Sequence, residues 1–82
     1  MIVKVQKGSV VRACAGRDGG GYFAVVDVQE GYCFIADGKS RRLASPKRKN
    51  VKHVSLTNSV IDLNDITDKK LRTQLREISA AE

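Results

Sequence analysis

The sequence predicts a mainly β domain, a small five-stranded barrel, followed by a C-terminal amphipathic α-helix. Three observations carry that expectation. Short runs of β-branched and aromatic residues are punctuated by glycine turns over the first two thirds of the chain. The apolar period changes to helical spacing near the end, where Leu71, Leu75 and Ile78 fall at i, i+4 and i+7. The chain has 82 residues, enough for one small domain with a limited core. A barrel suits so small a β domain because closure removes exposed sheet edges.

The expected elements follow in order. Val10 to Ala15 reads as a first strand, and Tyr22 to Val28 as a second. Glu30-Gly31 makes a tight connection to Tyr32–Ala36. Asp37-Gly38 is a strong turn signal, since such turns favour residues that tolerate positive φ. Arg41–Ala44 reads as a fourth strand, stopped by Pro46. Lys47-Arg48-Lys49 then falls in a loop, and Val51–Leu56 alternates as a fifth strand. Residues 1–56 are thus expected to form the barrel, and 57–82 a connector and helix. Thr57-Asn58-Ser59 reads as the connector. Asn64, Asp65 or Thr67 is expected to cap the helix, which should reach about Ser79. Which face of Tyr32–Ala36 is buried stays open, because Cys33 with Ile35 and Tyr32 with Phe34 make both faces apolar.

Charge sorts the chain more sharply than hydropathy does. Lys plus Arg number 15 against 9 Asp plus Glu, a net charge of +6. Residues 1–56 hold 11 bases and 4 acids, while 57–82 hold 4 bases and 5 acids. Residues 39–53 carry Lys39, Arg41, Arg42, Lys47, Arg48, Lys49 and Lys52 with no acid among them, and His53 ends the run. Such a run favours a polyanion partner, first of all nucleic acid. The bland alternative is a solvated basic face.

The segment from Ala15 to Gly21 has four glycines in six residues, at Gly16, Gly19, Gly20 and Gly21, with Arg17 among them. Exposed backbone N–H groups can hold an anion, and Arg17 can bind phosphate through two nitrogens. The phosphate-cradling pattern that ends in Lys-Ser/Thr is missing. Of the aromatics, Phe23 or Phe34 is expected in the core. Tyr22 and Tyr32, at strand starts beside glycines, are the candidates for stacking on a base.

Enzyme chemistry has little to build on. His53 is the single histidine, and nothing in the sequence sets it beside a nucleophile and an orienting acid. Cys14 and Cys33 lie nineteen apart with no close-spaced pair, so no metal and no other cofactor is expected. The longest apolar stretch, Phe23–Val26, is far too short for a membrane helix. The first residues are too short and too charged for a signal peptide. A cytoplasmic monomer with no membrane partner is the expectation. The helical stripe is expected to pack on its own domain rather than to dock on a partner.

The run Lys7-Gly8-Ser9-Val10-Val11, then Ala15-Gly16-Arg17-Asp18-Gly19-Gly20-Gly21-Tyr22-Phe23-Ala24-Val25-Val26, resembles a KOW motif. The continuation Asp37-Gly38-Lys39-Ser40-Arg41-Arg42, then Ser45-Pro46-Lys47-Arg48-Lys49-Asn50-Val51-Lys52-His53-Val54, is similar to the bacterial KOW-domain RNA-binding proteins. Those are related to KOW proteins of the archaeal and eukaryotic large ribosomal subunit. The resemblance covers roughly residues 7–54. It implies an SH3-like barrel and a non-enzymatic RNA-binding role in translation or ribosome assembly, with ribosomal RNA as partner. Ribosomal or translation proteins are further partners it implies. Gly16 stands at the family's loop glycine, and Arg17, Arg41, Arg42, Lys47, Arg48, Lys49, Lys52 and His53 would face RNA. Gly21 departs from the motif, which commonly has a basic or polar residue there. The chain after Leu56 matches no motif of the family. The alternative is a protein-interaction module of the transcription or translation machinery. DNA binding in transcription is a weaker third reading.

Overall fold

A computed structural model describes residues 5–13 and 21–81. The protein is mainly β, with five antiparallel strands in one sheet and a C-terminal helix. The strands are β1 (Ser9–Ala13), β2 (Tyr22–Gln29), β3 (Tyr32–Ala36), β4 (Lys47–Asn50) and β5 (Val54–Val60). A single 3-10 turn, Val51–His53, separates β4 from β5, and the helix α1 spans Asp68–Ala81.

The sheet order is β4-β3-β2-β1-β5, so β4 and β5 are its two edges. In a flat sheet those edges would stand about 19 Å apart. Three residues of 3-10 helix span only about 6 Å. The sheet must therefore curl far enough to bring the end of β4 near the start of β5. No ladder joins β4 to β5, so the mainly β class holds but hydrogen bonds do not close the sheet into the expected barrel; the 3-10 turn alone links its two edges. The turn is fixed at both ends. Asn50 Oδ1 accepts the Lys52 N–H at 2.9 Å, and the Val51 N–H reaches the Gly31 carbonyl at 3.2 Å.

Rolling gives the sheet two differently packed faces. Val11, Ala13, Phe23, Val25, Cys33 and Ile35 fill the inside, with Val51, Val54 and Leu56 against them. Val10, Ala24 and Ala36 lie outside, under Ile61, Leu71 and Leu75. Alternation along β1 and β3 explains the split, because neighbouring residues point to opposite faces. It also settles β3, whose Cys33 and Ile35 are fully buried while Tyr32 is exposed. Phe34 belongs to neither core cluster and is only half-buried. Of the two phenylalanines, Phe23 is the core one.

Helix α1 is capped by Thr67, whose Oγ1 accepts the Lys70 N–H at 3.2 Å. The helix lies over β2, which spreads Leu71 and Leu75 over the small side chains of Ala24 and Ala36. The expected apolar stripe is thus used within the domain.

Three expected elements move. Arg41–Ala44 is not a strand. Asp37 Oδ1 accepts the N–H groups of Lys39 and Arg41, at 2.8 and 3.0 Å, and closes those residues into a turn. The fourth strand is instead Lys47–Asn50, where a loop was expected. The fifth strand begins at Val54, after the 3-10 turn, and runs through Thr57-Asn58-Ser59, the expected connector, to Val60. It bulges opposite β1, where Ser9 pairs with Val60 and Val11 with Leu56. The Thr57 hydroxyl fills the gap in the ladder by donating to the Val10 carbonyl at 2.8 Å.

Candidate nucleic-acid interface

The basic run follows one edge of the sheet. It begins in the turn after β3, continues through β4 and ends in the 3-10 turn. Lys39 and Arg42 are exposed and Arg41 is half-buried. The turn that carries them is tied to α1 from two sides. The Leu43 N–H donates to Asp68 Oδ1 at 2.9 Å, and Arg72 Nη1 donates to the Gly38 carbonyl at 2.9 Å. Gly38 has φ +79°, and a Cβ there would run into the Asp68 carbonyl oxygen. Only glycine permits so close an approach of turn and helix.

Within β4 the bases alternate. The β3 register pairs Phe34 with Arg48 and Cys33 with Lys49, and Ile35 with Lys47. Directly paired residues share a face. Arg48 therefore stands outside with Phe34 and is exposed. Lys47 and Lys49 are half-buried on the side of Ile35 and Cys33. Burial pushes the Cys33 thiol above its ordinary pKa, and the Lys49 charge across the ladder pulls partly against that. Beyond β4, Lys52 and His53 are both exposed.

The two tyrosines differ. Tyr32 is 40% exposed, and the Arg48 guanidinium carbon lies 4.9 Å from its ring centroid, within cation–π range. Tyr22 is half-buried against the core under α1, with the Arg12 guanidinium carbon 6.0 Å from its ring centroid. The structure thus brings together Tyr32, Lys47, Arg48, Lys49, Lys52 and His53 along one edge. Lys39, Arg41 and Arg42 lie at one end of that edge. Tyr22, at the start of β2, instead lines a pocket with Asp37, Lys39 and Arg72 at the end of the face that α1 covers. Gly16 and Arg17 lie outside the described residues.

Two residues of this face were missed by sequence reasoning. Both faces of Tyr32–Ala36 are apolar in the sequence, so Phe34 does not stand out there as a surface ring. Asp27 pairs with Phe34 across the sheet because β2 bulges between Val25 and Asp27. That one-residue insertion has no clear signature in the sequence. Lys7 Nζ lies 3.8 Å from the Asp27 carboxylate, and the Val28 N–H donates to that carboxylate at 2.8 Å.

Among the described residues, no three His, Cys, Asp or Glu side chains gather as a metal site, and no helix is long and apolar enough to cross a membrane. No protein-family model and no curated protein matches the chain.

Proposed function

We propose that this protein is a non-enzymatic RNA-binding module, acting on ribosomal RNA or ribosomes in translation or ribosome assembly. The observation that carries the reading is the edge from Lys39 to His53: seven bases, no acid, and a course that follows one strand and its two flanking turns. Cations gathered along one edge attract a phosphate backbone, and their binding is driven by release of counterions. The resemblance of residues 7–54 to KOW-domain RNA-binding proteins points the same way.

The test is a titration of total ribosomal RNA across a salt series. About five phosphate contacts on single-stranded segments predict that log K falls against log salt with a slope of roughly −3.5. A flat response, or no shift of the RNA at low salt, overturns the reading. Cosedimentation with ribosomal subunits in a salt-graded gradient tests the ribosomal part separately.

A protein partner is the second reading, and one structural fact bears on it. Lysines and charged side chains on an edge strand also prevent edge-to-edge pairing of sheets, so the basic edge has a use without RNA. A protein partner would have to be acidic and meet this edge. Leu71 and Leu75 are buried under α1 and offer no docking stripe. Capture of a partner that survives nuclease treatment, with no RNA crosslinked, would favour it.

A further inference from the structure

We infer that the outer face of β3 and β4 is a stacking site for an unpaired RNA base, formed by Tyr32, Phe34 and Arg48. The inference rests on the RNA-binding reading and deepens it, by naming the form of RNA this face selects.

The rolled sheet has its outer surface covered by α1 only in part. Beneath the helix lie Ala24 and Ala36. Farther along β3, away from the helix contacts, the same face carries Phe34 and then Tyr32. Neither ring belongs to a core cluster. Two aromatics at i and i+2 on one strand lie side by side on one surface. Arg48 is directly opposite Phe34 in the register and reaches diagonally to Tyr32, 4.9 Å from the ring centroid.

The Arg48 guanidinium stands over the Tyr32 ring; being planar, it stacks on bases as aromatic rings do, and it can give way to a base on Tyr32 or present its own charged face to one. Asn50, opposite Tyr32, borders the surface with an amide. The acids nearby are Asp27, engaged with Lys7 and the Val28 N–H, and Glu30 in the exposed β2–β3 turn. The strand that borders the rings carries Lys47, Arg48 and Lys49. Charge complementarity therefore selects an anionic chain, and the rings select one whose bases are unstacked. A duplex buries its base faces and can offer only its backbone.

The experiment uses the full chain and two probes: single-stranded oligouridine of about ten nucleotides, and an RNA duplex of the same length. Wild type should bind the single strand more tightly. Tyr32→Leu should weaken single-strand binding roughly 5- to 150-fold, with duplex binding and the salt slope unchanged. Lys52→Gln, at an exposed base of the same edge, should weaken both probes together and flatten the slope. Phe34→Leu is read beside Tyr32→Leu, with thermal melts of both to confirm the fold, because Phe34 is half-buried and Tyr32 is exposed.

If Tyr32→Leu and Phe34→Leu stay folded and bind oligouridine as wild type does, the stacking site is overturned while RNA binding stands. If wild type binds neither probe nor ribosomal RNA at low salt, the RNA reading itself falls. Equal affinity of wild type for strand and duplex also overturns the stacking site.

Discussion

The Leu43 N–H donates to the carboxylate of Asp68, 2.9 Å away and 25 residues along the chain. Asp68 sits in the first turn of α1, where a negative charge also complements the helix dipole. One carboxylate thus anchors the basic turn and steadies the helix start. Asp68→Ala should cost about 1–2 kcal/mol. Asp68→Asn keeps an acceptor oxygen and should cost less. Thermal melts should show the difference as several degrees, since 1 kcal/mol moves the midpoint of a domain this size by about 4–8 °C.

Among the described residues, three glycines with positive φ separate two kinds of cost. Gly31, at φ +77°, has open space where a Cβ would sit. Gly31→Ala should lose about 1 kcal/mol, the cost of the left-handed backbone alone. At Gly8 a Cβ would stand 2.7 Å from the Ile61 carbonyl oxygen, and at Gly38 it would meet the Asp68 carbonyl oxygen. Gly8→Ala and Gly38→Ala should each be clearly worse than Gly31→Ala in a urea melt. Equal costs at all three sites would show that turn and helix yield easily.

Leu71 is fully buried and Leu75 is 5% exposed. Truncating either to alanine should cost about 2–5 kcal/mol, by loss of transfer energy and creation of a cavity. In so small a domain that approaches the whole stability, so loss of near-ultraviolet circular dichroism is the expected readout. A Leu71→Ala protein that keeps its melting point would place the helix off the sheet.

Burial raises the pKa of the Cys33 thiol, and Lys49 lowers it by a smaller amount. Below the ordinary thiol value of 9.0 the group is neutral in both states and contributes no pH dependence. Above it the unfolded chain loses the proton first, so stability falls as pH rises toward the folded pKa. Cys33→Ala should remove that alkaline decline, and Lys49→Gln, by letting the folded pKa rise further, should leave its onset in place but extend and deepen it. Alkylation of native Cys33 should be slow at neutral pH and should track unfolding. Fast labelling of the native protein would contradict the burial.

Much of the fold was legible in the sequence, for identifiable reasons. The spacing of Leu71, Leu75 and Ile78 announced α1 because one helix face is buried. Tyr22–Val28 and Tyr32–Ala36 announced β2 and β3 by composition. The fourth strand was displaced because its signal is not apolar. Lys47–Asn50 has only one neighbouring strand, so nothing requires it to carry apolar residues. Pro46 read as a stop, yet proline is equally suited to the position before a strand. Arg41–Ala44 looked extended, but a single carboxylate, Asp37, folds its start into a turn. Within the candidate interface the charges were legible by counting. The aromatic part was not, since only the register tells Phe34 from a core residue.

The three-residue turn between β4 and β5 has a further consequence. It tethers the end of one edge strand to the start of the other, so neither edge strand can leave without straining its counterpart. Residues 47–60 should therefore open as one cooperative unit. Amides of β5, on the opposite edge of the sheet, should exchange with solvent at the same opening free energy as those of β4. A polyanion that grips the basic edge would then slow exchange along a strand it never touches.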